Sequence, residues 1–275
     1  IWRSRLLHQF STGLNVPPQP PAGPLHATLH LVGMPALLTA NGSDALERKD
    51  AALLALLATA GATPRASLAA LLWPDADDDG ARNSLRQRVF RLKRAAGGDV
   101  VTGGVVLRLA DGVVHDLAAL PARLSADPQA LPGELLGTLD YSDCADLAAW
   151  IEIAREQWRA ARRDALAEAA ARLEGERQIG AALPYALRLV ADEPLLEHAH
   201  RRVMRLHYLR GDRAAALAAY EQARRVLARD LGVVPAAETE QLAALVRGEA
   251  VADAGPAAHP LLVLRAPRLV GRERE

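Results

Sequence analysis

Three scarcities narrow what this chain can be. Among 275 residues there is one cysteine, Cys144. An internal disulfide framework and a multi-cysteine metal site are both excluded, which fits a reducing compartment. Aromatic residues make up 4% of the chain, with only two Phe, and most of its hydrophobic half is Ala and Leu. That is the composition of packed helices. Long apolar runs are missing too. None approaches the roughly 20 residues of a membrane helix, and the first segment has no continuous apolar stretch before a small-residue cleavage site. A soluble, cytoplasmic protein is expected. Net charge is also absent, since 33 basic residues balance 33 acidic ones. A polyanion partner can therefore be argued only from where the charge sits.

The length suits two domains better than one. Residues 1–24 end in Pro17, Pro18, Pro20, Pro21 and Pro24, a density that holds no helix, and they read as a tail or linker. From Leu25 the pattern has period two: Leu25, Ala27, Leu29 and Leu31 alternate with His26, Thr28 and His30. This predicts a half-buried strand with its histidines on the polar face. A second strand, Ala36 to Thr39, ends at the turn signal Asn41-Gly42. Glu47 to Ala60 carries Leu53, Leu56, Leu57 and Ala60 on one stripe and closes on Gly61, which predicts a first helix. Thr63 and Pro64 read as the N-cap and first turn of a short second helix, ended by Trp73-Pro74. The acidic run Asp75, Asp77, Asp78 and Asp79 reads as a solvated capping loop ahead of a third helix, from about Ala81 to Ala96. After Gly97-Gly98, the runs Val100–Thr102 and Val105–Leu107, split by Gly103-Gly104, predict a hairpin.

Two strands, three helices and a hairpin make a winged helix over residues 25–118. Past Pro121 the strand signals vanish, and an all-α region is expected over 119–248. Its first long helix shows Leu147, Trp150, Ile151, Ala154, Trp158 and Ala161 at helical spacing, continued by Leu166 and Leu173. Ala181-Ala182-Leu183 recurs 34 residues later as Ala215-Ala216-Leu217, which suggests tetratricopeptide-like helical hairpins. Pro184 fits that scheme only in its helix's first turn. The fold class expected is thus mainly α: a winged helix-turn-helix of α+β type, followed by helical hairpins.

Function concentrates in the third helix. Its wheel puts Ala81, Leu85, Val89 and Leu92 on one face, Asn83, Gln87, Phe90 and Arg94 opposite, and Arg86 and Arg91 on the flanks. From Arg82 to Arg94 there are six basic residues (Arg82, Arg86, Arg88, Arg91, Lys93, Arg94) and no acidic one. A charge run alone usually means a solvated face. Here a short helix precedes it and a hairpin follows, the arrangement whose last helix enters the DNA major groove. Arg bonds guanine edges, and Asn or Gln adenine edges, in bidentate fashion, while flanking cations neutralise phosphates. Arg86, Asn83, Gln87 and Arg91 are the candidates for base contact. Phe90 either touches a thymine methyl or packs under the wing. Arg82, Lys93, Arg94 and, from the wing, Thr102 and Arg108 are candidates for phosphate or minor-groove contact.

These residues carry a resemblance. Arg65…Leu68…Leu71-Leu72-Trp73-Pro74-Asp75, followed by Ala81-Arg82-Asn83-Ser84-Leu85-Arg86…Arg91-Leu92-Lys93, resembles the winged helix of antibiotic-regulatory-type (SARP/AfsR-like) bacterial activators. Trp150-Ile151…Arg155 resembles the opening of the bacterial transcriptional activator domain that follows it in such proteins. Pro194…Glu197…His200-Arg201-Arg202-Val203-Met204, Gly211-Asp212, Ala216…Tyr220 and Leu231-Gly232-Val233…Pro235…Glu238-Thr239 resemble that domain's later segments. Together they span residues 25 to about 247. The resemblance implies an OmpR-like winged helix on a tetratricopeptide-like domain, double-stranded promoter DNA and RNA polymerase as partners, and no catalysis or cofactor. Where such proteins tend to carry small or aliphatic residues, this chain has Gln87, Arg88 and Phe90, so the DNA site does not transfer. Leu269-Val270-Gly271-Arg272-Glu273-Arg274-Glu275 resembles the entry to an ATPase module, which makes 249–275 a linker to a module in cis. No Gly-rich loop ending in Lys-Ser or Lys-Thr accompanies it. A homodimer is possible through the helical domain, although no heptad seam demands one.

Two other function classes compete. Enzyme signatures are missing: His198 and His200 are two apart on a helix and so face apart, His26 and His30 have no acidic or cysteine companion, and no catalytic motif surrounds Cys144. The remaining alternative is a protein-interaction scaffold without specific DNA binding.

Overall fold

The structure is a computed structural model that describes residues 26–248. The expected tail at 1–24 and the linker at 249–275 lie outside the described residues.

Alternation builds the first sheet. In β1 (Ala27–His30), Ala27 and Leu29 are buried while Thr28 and His30 are half-buried. β1 pairs antiparallel with β2 (Ala36–Thr39), placing Leu29 opposite Leu37. Two further strands were not expected. β3 (Gly42–Ala45) continues the meander beside β2, with all four of its residues exposed. Having no buried face, it shows no alternation. β7 (Val113–His115) joins β1 in parallel, completing the order β3-β2-β1-β7.

α1 (Arg48–Ala60) is buried along an unbroken run from Asp50 to Leu57, broader than the expected stripe, while Ala60 is exposed. The step Thr63-Pro64 corrects the sequence reading. It is a short strand, β4 (Thr63–Pro64), and α2 (Arg65–Leu72) begins after it. A proline has no ladder donor to lose at a sheet edge, so it sits there at little cost. α3 spans Asp78–Ala96, and the hairpin strands are β5 (Val101–Thr102) and β6 (Val106–Leu109). β4 pairs with β6, giving a three-stranded wing of order β4-β6-β5.

Six helices follow: α4 (Leu120–Ala126), α5 (Ala145–Gly175), α6 (Ile179–Asp192), α7 (Glu197–Leu209), α8 (Arg213–Asp230) and α9 (Ala237–Arg247). From α5 onward each packs against the next. The 34-residue repeat is real at its centre: Ala182 in α6 and Ala216 in α8 are both fully buried, where a small side chain lets helices approach. Two details differ. Pro184 lies inside α6 beyond its first turn, so one helical hydrogen bond is missing and the helix continues regardless. On α5, Ala161 is exposed and Arg162 is buried in its place.

A strap at residues 131–137 joins the two parts. Gly33 N–H donates to the Glu134 carbonyl at 2.9 Å and Leu136 N–H to the Leu31 carbonyl at 2.7 Å. From the other side, α5 holds the strap by its carbonyls: Arg155 Nε donates to Leu135 O at 3.1 Å and Arg162 Nη1 to Gly133 O at 2.8 Å. The buried carboxylate of Asp116 accepts from the backbone N–H groups of Leu31 and Val32 at 2.9–3.0 Å. This fixes the end of β1 where the strap meets it.

Candidate nucleic-acid interface

The third helix begins earlier than its hydrophobic period indicates. Asp77 is the N-cap, its side chain accepting from Gly80 N–H at 2.9 Å, and Asp78 and Asp79 form the first turn. The acidic run is therefore partly helical rather than a loop ahead of the helix. Carboxylates at the start and Lys93 and Arg94 in the last turn both suit the helix dipole. Gly97, at φ +71°, closes the helix in the left-handed conformation.

Ala81, Leu85, Leu92 and Ala96 are buried, and Val89 is half-buried. Arg82, Asn83, Arg86, Gln87, Phe90, Arg91, Lys93 and Arg94 are all exposed. The predicted division of the helix into apolar and basic faces is reproduced. Phe90 stands 59% exposed rather than packed under the wing.

The cations differ in what they already hold. Arg82 reaches Asp78 and Asp79, each at 3.3 Å. Lys93 pairs with Asp99 at 2.9 Å, and Arg108 of the wing pairs with Asp111. Arg88 turns away from solvent toward α1, where it binds Glu47 and lies 3.2 Å from the Asp50 carboxylate. Burial pushes the Asp50 carboxyl above the ordinary carboxylate range, with Arg88 acting against that shift. Arg86, Arg91 and Arg94 have no hydrogen bond or ion pair among the described residues, although Arg91 lies near enough to Glu47 and Asp50 to act on both carboxyls. Asn83 and Gln87 beside them are equally uncommitted.

The wing departs from expectation. The Thr102 hydroxyl is buried without a partner, so it does not face outward. The turn is instead tipped by Val105, 83% exposed, next to Val106 at 44%. A Cβ on Gly103 would meet the Val106 carbonyl oxygen at 2.0 Å, so only glycine fits this turn. Sequence reasoning assigned Val105 to the strand; the signal for a tip residue was the Gly103-Gly104 pair directly before it. An open cleft between α2 and α3 is lined largely by small residues, among them Ala66, Ala69, Ala70 and Ala81, with Trp73 at its side.

The remaining candidates are placed as follows. His200 is buried with Nε2 2.8 Å from the Pro194 carbonyl oxygen. His198 is exposed, its pKa lowered by partial burial and by Arg201, Arg202 and Arg163. Cys144 is buried, its thiol 3.4 Å from the Leu71 carbonyl oxygen. Among the described residues, no group of three or more His, Cys, Asp or Glu side chains is placed to hold a metal. No helix there is long and apolar enough to cross a membrane.

Residues 132–247 match the family model of the bacterial transcriptional activator domain. No curated protein matches the chain. Among solved structures, Mycobacterium tuberculosis EmbR in complex with a low affinity phosphopeptide is similar, with a TM-score of 0.50 at 20% identity. The match covers 82% of this chain and 66% of that one, so the chain spans just under two thirds of that structure's length. At that identity the likeness speaks for the fold, a small sheet-bearing N-terminal region ahead of a helical domain.

Proposed function

We propose that this chain is a SARP-like bacterial transcriptional activator that binds double-stranded promoter DNA sequence-specifically through α3. The observation that supports this most is the set of three arginines, Arg86, Arg91 and Arg94, exposed on one helix, none of them held by a hydrogen bond or ion pair among the described residues, although Arg91 feels the Glu47 and Asp50 carboxylates. A guanidinium needs a carboxylate, a phosphate or a base edge to satisfy its planar fork, and no carboxylate among the described residues is hydrogen-bonded to these three. Arg86, Arg91, Asn83 and Gln87 read bases; Arg94 contacts phosphate. Arg82, Lys93 and Arg108 join only by exchanging their carboxylates for phosphates. Val105 replaces Thr102 as the wing's contact to the DNA backbone.

On this reading the helical domain recruits RNA polymerase in the cytoplasm, with homodimerisation and an ATPase module in cis as further elements of the full regulator. The phosphopeptide belongs to EmbR and carries no assignment for this chain.

Fluorescence anisotropy against a duplex selected from a random pool tests the reading. Arg94 at a phosphate releases about 0.9 counterion, and each of Arg82, Lys93 and Arg108 that joins adds about as much, so the log K against log salt slope lies between about −1 and about −4. Arg86→Ala combined with Arg91→Ala is expected to weaken binding at least ~30-fold, from about 1–3 kcal/mol per lost base contact. Absent binding, or binding insensitive to salt and to both substitutions, overturns the reading and leaves a protein-interaction scaffold.

A further inference from the structure

The cations of α3 and the wing are not equally available, and the reason is acidic. Of the seven, Arg82, Arg86, Arg88, Arg91, Lys93, Arg94 and Arg108, four hold carboxylates in the folded protein. Arg88 is a structural exception, its side chain only 18% exposed against the 11% exposed Asp50. The other pairs lie in the open: Lys93 and Asp99 are 46% and 51% exposed, Arg108 and Asp111 52% and 87%. Pairs this exposed add little to folding stability, because water screens them and both side chains lose freedom. Their effect on an approaching polyanion is larger. A carboxylate about 3 Å from a cation cancels most of its attraction for a phosphate, whether or not the contact persists from moment to moment.

We infer that Asp99 and Asp111 are specificity-determining residues, which hold Lys93 and Arg108 out of non-specific phosphate contact and leave binding to the uncommitted arginines. This rests on the DNA-binding reading above and adds to it. Non-specific affinity grows with the number of phosphates neutralised, while discrimination comes from base contacts. Cancelling Lys93 and Arg108, with Arg86 and Arg91 left without an ion pair, lowers the first quantity and spares the second. Asp78 and Asp79 act on Arg82 in the same sense, but they also form the first turn of α3 and are less clean to alter.

The test compares the full chain with Asp99→Asn/Asp111→Asn on two duplexes, one of random sequence and one selected by the wild-type protein, from 50 to 200 mM salt. The control is Glu221→Gln/Asp230→Asn, which makes the same charge change at the pairs Arg224–Glu221 and Arg229–Asp230 on α8. On the random duplex the Asp99/Asp111 variant is expected to bind about tenfold tighter, with a slope steeper by up to about 2, one counterion for each released cation. On the selected duplex the gain is smaller, so the ratio between the two falls. The control matches wild type on both. If the Asp99/Asp111 variant matches wild type, or the control tightens equally, the inference is overturned while DNA binding stands. If the wild-type protein binds neither duplex, the DNA-binding reading fails and the inference with it. Should the double variant not fold, Asp111→Asn alone, at the most exposed of these carboxylates, gives half the slope change or overturns the inference.

Discussion

Arg88 shows how far a single residue can be read without its neighbours in space. In the sequence it is one of six cations in a run. In the fold it clamps the middle of α3 to the first turn of α1, through Glu47 and Asp50. Those partners lie 41 and 38 positions away, so helix periodicity could not separate it from Arg86 or Arg91. The clamp has a pH signature. The Asp50 carboxyl is raised by burial and lowered by Arg88, so removing Arg88 raises it further. A carboxyl raised in the folded state holds its proton more tightly there than in the unfolded chain. Its contribution to stability is therefore most favourable below the ordinary value of about 4 and declines as pH rises through the folded value. Arg88→Ala leaves a buried carboxylate uncompensated and is expected to cost about 3 kcal/mol at pH 7. Chemical denaturation at pH 7 and pH 4.5 should show a smaller penalty at the lower pH. An equal penalty at both would mean that Asp50 is already neutral or fully hydrated.

Elements were legible where burial is one-sided. The face of α3, the alternation of β1 and the alanine repeat of α6 and α8 all follow from one face meeting a core, which writes a period into the sequence. β3 has no buried face, and only Val113 of β7 is buried, so neither leaves a readable pattern. On α5 the expected stripe fails at Ala161 because strict alternation of four and three has a period of 3.5, short of the 3.6-residue turn, so the core steps by four from Trp158 to Arg162 and again to Leu166. The core passes through Arg162, whose guanidinium is tied to Gly133 and lies 3.2 Å from Asp192. Pro184 is a conflict of another kind, a helix breaker retained within α6, with its ring exposed. Packing on both neighbouring helices holds the backbone helical despite the lost bond. Pro184→Ala restores a donor to the Gly180 carbonyl but gives the unfolded chain more freedom. The first effect, about 3 kcal/mol at most, exceeds the second, at about 0.5–1 kcal/mol. Thermal unfolding should show a stabilisation of about 1–2 kcal/mol; a lower melting temperature would show that the proline is matched to a local bend.

At the scale of the molecule, the order of parts was readable and their attachment was not. A winged helix followed by helical hairpins follows from the sequence of local patterns. The strap at 131–137 involves residues about a hundred positions apart, and its bonds run through backbone atoms, which carry no side-chain signal. Yet this junction determines how the molecule unfolds. One continuous buried cluster runs from Ala27 to Leu206, so the winged helix and the first helical hairpins share a core. Arg48 adds a second tie, binding Asp143 across the same junction, while its carbonyl accepts from the Tyr141 hydroxyl at 2.8 Å. The wild-type chain should therefore unfold in one calorimetric transition. Gly137 is where that unity can be tested. Its φ is +54°, and a Cβ there would meet the Gly33 carbonyl oxygen at 2.5 Å, a contact that backbone on both sides makes hard to relieve. Gly137→Ala should push the strap off β1, weaken the bonds to Leu31 and Gly33, and split the transition so that the winged helix melts first. Unfolding that stays single at an unchanged temperature would mean that the shared apolar core, and not the strap, joins the two parts. In that case Arg155→Ala, which removes the α5 donor to Leu135 and Gly137, should be silent as well.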